Sequence, residues 1–190
     1  MSYLRYLSTG ARMLLVWTLV LGVVYPLAVW GVGQVAFRAQ AHGSMLEMDG
    51  TPVGSSLVGQ TFDGPEWFHS RPSVSDYDPL ATGASNLAAD NPTLLRQVER
   101  RKAAVAEAEG VSPAEVPADA VTASGSGIDP HISPEYARLQ VARVAAQRGL
   151  TEDTVMGLVD EHTSGRTLGF LGAPRVNVVA LNLALEQLSS

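Results

Sequence analysis

A chain of 190 residues with 13 basic and 19 acidic side chains has room for one domain plus an appendage, and it lacks the positive charge that nucleic-acid binding requires. Only Arg5, Arg12 and Arg38 precede the first acidic residue, Glu47, so residues 42–190 carry 10 basic against 19 acidic side chains, formally −9. Cysteine is absent, which excludes disulfides, thiolate nucleophiles and thiolate metal sites.

Residues 13–37 contain no charged side chain. At about 1.5 Å per residue they make a helix long enough to cross a hydrocarbon core of about 30 Å. Trp17 and Trp30 lie toward its two ends, as interfacial anchors do. Pro26 sits in the middle, where its ring presses on the carbonyl of Gly22. A kink is expected there, together with a freed acceptor that makes Pro26 a contact point for a neighbouring membrane helix. Ala39-Gln40-Ala41 has the small-residue form of a signal-peptidase site, but the apolar run exceeds the usual signal core of about 7 to 15 residues. The segment therefore reads as a retained anchor. Arg5, Arg12 and the terminal amine before it, against Arg38 directly after, predict an inside N-terminus. The expected organisation is a short cytoplasmic N-terminus at 1–12, a transmembrane helix at 13–37, a linker at 38–53 and an extracytoplasmic domain at 54–190.

Beyond the linker, residues 55–60 form a candidate strand. Trp67-Phe68 precede the corner Arg71-Pro72-Ser73, which reads as core packing with Arg71 bonded to loop carbonyls, or as an interface anchor. Asn91-Pro92 opens a helix that Gly110 closes, and Ser133-Pro134 opens a second one running to Arg148 and closed by Gly149. Thr151 caps a third helix, with His162 at its C-terminal edge. After a glycine-rich connector at 165–172, Val178, Leu181, Leu185 and Leu188 mark a last helix. The fold class is α+β, or irregular α/β, with one N-terminal transmembrane helix.

Residues 121–134 are the segment that neither a core nor an ordinary surface requires. Gly125 and Gly127 can adopt positive φ, and Ser133 caps a helix whose N-terminus follows at once. Small residues leading into a helix N-terminus suit either an anion site or a packed structural turn. The turn is favoured, because no Lys follows the glycines and the P-loop pattern is absent. Ser124, Ser126, Asp129, His131 and His162 are raw material for hydrolysis or metal binding. Neither Ser sits in G-x-S-x-G, however, and Pro130 is expected to splay Asp129 from His131. No metal site and no catalytic residue is expected.

The motifs in order are Gly59-Gln60, Trp67-Phe68 before Arg71-Pro72-Ser73, Ser85-Asn86-Leu87, Asn91-Pro92, residues 121–134, Gln140-Val141-Ala142-Arg143-Val144-Ala145, His162-Thr163 and residues 172–182. Together with the membrane helix they resemble the C subunit of the Kdp potassium-transporting ATPase, almost from end to end. Trp67 stands where a tyrosine is expected. The resemblance implies a non-catalytic subunit of a bacterial inner-membrane complex that stabilises the assembled pump and is proposed to raise its ATP affinity. The implied partners are a P-type pump subunit, a channel-like potassium-binding subunit and membrane lipid. No cofactor belongs to the chain itself, and ATP would reach it only through the pump subunit. For that nucleotide role Ser124, Gly125, Ser126, Gly127 and Ser133 are the natural residues, while Pro26, Trp67, Phe68, Arg71, Asp129 and His131 are the expected partner contacts. An outward-facing domain conflicts with cytoplasmic ATP. The competing reading is a membrane-anchored enzyme or sensor acting at Ser126, Asp129 and His131.

Overall fold

The computed structural model describes residues 2–189, which fall into two compact units separated between Ser44 and Met45. In the first unit, α1 (Ser2–Leu19) passes through a π-helical turn (Val20–Val24) into α2 (Tyr25–Ala36). The stretch Tyr3–Ala36 is 34 residues long, with a mean hydropathy of 2.1 in its most apolar part and no buried side chain there. This is a helix long and apolar enough to cross a membrane, and it fits a single-pass membrane protein. The conflict expected at Pro26 is resolved upstream of it. The Tyr25 N–H reaches the Val20 carbonyl, five residues back, so a widened turn takes up the proline without interrupting the helix. Phe37 then leaves helical geometry, and a short α3 (Arg38–Ala41) follows.

The second unit opens with an antiparallel hairpin, β1 (Met45–Met48) and β2 (Thr51–Ser55). Its turn residues Asp49 and Gly50 have φ of 50° and 74°, the left-handed pair that matches strand twist in a two-residue hairpin. The linker expected at 38–53 thus holds β1 and the start of β2, and the strand expected at 55–60 lies upstream, with the chain turning after Ser55. Residues 56–91 form neither helix nor strand.

Next come α4 (Pro92–Glu109), a 3-10 turn (Pro113–Glu115), α5 (Ala118–Val121), β3 (His131–Ile132), α6 (Pro134–Leu139), α7 (Val141–Arg148), α8 (Glu152–Glu161), β4 (Thr163–Ser164), β5 (Arg175–Asn177) and α9 (Val178–Ser189). The caps explain the boundaries. Asn91 and Thr151 accept from the Thr93 and Thr154 amides, and Gly110 and Gly149 end their helices at φ of 68° and 65°. The helix expected over 133–148 is broken at Gln140, whose own amide bonds Ala137 three residues back while its side chain turns into the core. The second sheet runs β3-β5-β4, both pairs antiparallel, and the architecture is α+β as expected.

The core gathers Phe68, Val144, Val155, Val159, Val176, Leu181 and Leu185, all fully buried. Phe68 alone contributes about 2–3 kcal/mol by leaving water. It comes from the irregular stretch, so its backbone has no ladder to satisfy it. Helix side chains supply the missing partners. Asn182 accepts from the Phe68 amide and donates to the Phe68 carbonyl, both at 2.9 Å. Gln140 does the same for His69, at 2.7 and 3.2 Å. Arg143 donates to the carbonyls of Pro65 and Trp67 and is held by Glu109 at 3.0 Å, while Arg148 donates to the Glu66 carbonyl at 3.1 Å. The arginines that bond loop carbonyls are therefore Arg143 and Arg148. Arg71, expected in that role, points elsewhere.

Candidate functional site

The loop from Thr122 to Pro130 closes on one hydroxyl. Ser124 is fully buried, and its Oγ accepts from the amides of Ser126, Gly127 and Asp129 at 3.3, 3.0 and 3.4 Å. Ser126 Oγ accepts the Ile128 amide at 3.2 Å. Four N–H groups that could cradle an anion are thus turned onto the loop's own serines, and the Ser124 N–H is turned onto the Pro72 carbonyl. Its carbonyls are met from outside by the irregular stretch: Gly83 N–H bonds Ser126 O, Ser73 Oγ bonds Gly127 O, and Gly59 N–H bonds Ile128 O.

Of the two glycines, only Gly127 adopts positive φ, at 77°, and a Cβ there would lie 2.5 Å from Ser75 Oγ. Gly125 is unstrained and open. Ser133 does cap α6, accepting from the Tyr136 amide, but Asp119 already occupies the position an anion would take. Its carboxylate receives the Ser133 amide at 2.7 Å and the Ser133 hydroxyl at 2.9 Å.

Pro130 does not splay its neighbours. Asp129 Oδ1 accepts the His131 amide at 3.0 Å and lies 3.3 Å from His131 Nδ1, because an aspartate two residues before an amide folds back on it as an Asx turn. Arg71 completes the group from the other side, 3.4 Å from Asp129 Oδ2 and 3.5 Å from Thr122 Oγ1. Burial pushes the Asp129 carboxyl up, but the hydrogen bonds from His131 and the charges of His131 and Arg71 outweigh it and hold it below its ordinary value. Asp129 and His131 border two open recesses. One, of about 420 Å³, also takes in Ser124, Gly125 and Ser126; the other, of about 560 Å³, takes in Arg71, Asp119, Ser133 and Arg175.

The expected contact residues do not form one surface. Phe68 has no exposed area and drops out as a partner contact, since its side chain is the centre of the core. Trp67 is half-buried under the Arg148 guanidinium, 4.2 Å from its ring centroid, and borders an apolar recess with Met48, Phe62 and Leu183. Pro26 lies in the first unit. What remains together is Arg71, Asp129 and His131. Among the described residues, no hydrogen bond joins Ser126 to His131, and no three His, Asp or Glu side chains converge as metal ligands.

Relatives agree along the whole chain. The potassium-transporting ATPase KdpC subunit of Kineococcus radiotolerans is 59% identical over 187 residues, covering 97% of this chain and 95% of the relative. Those of Streptomyces avermitilis and Methylibium petroleiphilum are 49% and 53% identical over 209 and 172 residues, covering 97% and 89% of this chain and 94% and 90% of the relatives. The family described as KdpC, the K+-transporting ATPase c chain, matches residues 7–187, and the chain belongs to that family.

Proposed function

We propose that the chain is a non-catalytic accessory subunit of an ATP-driven potassium-uptake complex, contributing to its assembly. The membrane helix packs beside membrane helices of a channel-like subunit and a pump subunit, and the Arg71–Asp129–His131 group belongs to the surface that meets them. The observation that carries this reading is the internal saturation of residues 122–130. A loop whose Ser126, Gly127, Ile128 and Asp129 amides end on its own hydroxyls, and whose Ser124 amide ends on the Pro72 carbonyl, is a rigid shape to dock against, with few donors left for a phosphate. On this reading any gain in ATP affinity is exerted through the pump subunit. A tagged chain taken out in mild detergent is expected to bring a pump-sized and a channel-sized chain with it. Recovery alone would refute the assignment.

The N-terminal arginines support an inside N-terminus and an outside domain. Gly125→Cys, with nothing within 4 Å of the new Cβ, provides a single thiol in a chain that has no other. A membrane-impermeant thiol reagent is expected to label it in cells whose outer barrier is opened but whose inner membrane is intact. Labelling only after lysis would reverse the orientation and bring the loop within reach of cytoplasmic ATP.

The Asp129–His131 pairing favours a second reading, an anchored enzyme acting at Ser126. It requires an activity of the purified chain that Ser126→Ala abolishes.

A further inference from the structure

Residues 164–175, between β4 and β5, are exposed without a break. Their centre is a closed turn. Thr167 and Leu171 exchange amide-to-carbonyl bonds of 3.0 and 2.9 Å, and the Gly169 amide returns to the Arg166 carbonyl at 3.1 Å. Leu168 and Gly169 are left-handed, at φ of 55° and 82°. The turn presents Leu168, Phe170 and Leu171 with 78%, 68% and 49% of their surface open. A leucine held left-handed costs about 1–2 kcal/mol. Among the described residues, nothing offsets that by burying its side chain.

The charge of the finger opposes that of its domain. No acidic residue lies between Glu161 and Glu186, whereas Arg166 and Arg175 are exposed and in no ion pair among the described residues. Arg175 also borders the recess that holds Arg71, Asp129 and His131, so the finger continues a surface already of mixed charge.

We propose that residues 166–175 are a docking finger that seats Leu168 and Phe170 in an apolar recess edged with carboxylates on another chain of the potassium-transporting assembly. The proposal rests on the accessory-subunit reading. The two arginines select the acidic rim. The hydrogen-bonded turn fixes three side chains in one arrangement, which suits a shaped protein recess more than a bilayer surface. A second copy would have to offer its own apolar recess beside Trp67, an occupant that the crosslink below tells apart from another chain.

The test uses the full chain in the detergent-extracted complex, with a photo-crosslinking amino acid in place of Phe170. The expected adduct is with another chain of the complex, identified by mass spectrometry. Adducts confined to lipid or to a second copy would overturn the proposal. In parallel, Phe170→Asp and the double change Arg166→Glu with Arg175→Glu are each expected to cut the partner retained after a salt wash by at least about tenfold. Thermal melts of these variants should stay unchanged, because the side chains are exposed. If the unaltered chain retains its partners and Phe170→Asp retains them equally, the finger fails while the accessory reading stands. If the unaltered chain retains none, both fall.

Discussion

Two glycine-bearing loops of the larger unit, residues 121–134 and 164–175, use similar composition in opposite ways. The first bonds several of its amides to its own side chains, with Ser124 Oγ collecting three of them and Asp119 filling the start of α6. The second closes its backbone just as firmly but turns Leu168 and Phe170 outward. The difference teaches that glycine marks where a chain must bend, while the neighbouring side chains decide whether the bend serves the core or a surface.

Substitutions can break this contrast, in decreasing order of effect. Ser124→Ala leaves buried amides without an acceptor and is expected to cost on the order of 3 kcal/mol in a denaturant titration. Gly127→Ala combines a left-handed backbone with a Cβ 2.5 Å from Ser75 Oγ, and about 2 kcal/mol of loss is expected. Gly169→Ala separates these causes. Its φ is 82° but nothing lies within 4 Å, so only the backbone term of about 1 kcal/mol should appear. Equal losses at 127 and 169 would show that the first loop is no better braced than the second.

A smaller effect concerns acid. The Asp129 carboxyl titrates lower folded than unfolded, so its contribution is fully present above the unfolded value of about 3.9 and is lost as pH falls through the folded one. Asp129→Asn should flatten that part of the melting-temperature profile below about pH 4. Smallest of all, Phe170→Ser should change stability by no more than about 0.5 kcal/mol, because a side chain 68% exposed has little burial to lose.

Where local chemistry decides structure, the sequence was legible. Asn91-Pro92 with Gly110, Thr151, and the apolar spacing from Val178 place three helices within a residue of their observed ends. The hairpin at 45–55 departs from the linker expected there, although Asp49-Gly50 is a strong two-residue hairpin signal that polar composition alone does not express. The break at Gln140 and the Asx turn across Pro130 depend on where side chains find partners, which spacing does not reveal. For the candidate site, the composition of residues 121–134 marks a stretch that neither a core nor an ordinary surface requires. Their saturation was not visible, because it depends on one hydroxyl being buried and on Gly59, Ser73 and Gly83 arriving from a stretch with no periodicity.

The side-chain pairing of Phe68 and His69 also imposes an order of events during synthesis. Asn182 lies 114 residues after Phe68, and Gln140 lies 71 after His69. The stretch around Phe68 leaves the ribosome long before either amide exists to receive it, and contacts of such separation form late. Until α9 emerges, the nascent domain must carry its largest fully buried side chain on a backbone that its native partners do not yet pair, a natural target for chaperones and proteases. α9 is thus what locks the irregular stretch around Phe68 in place.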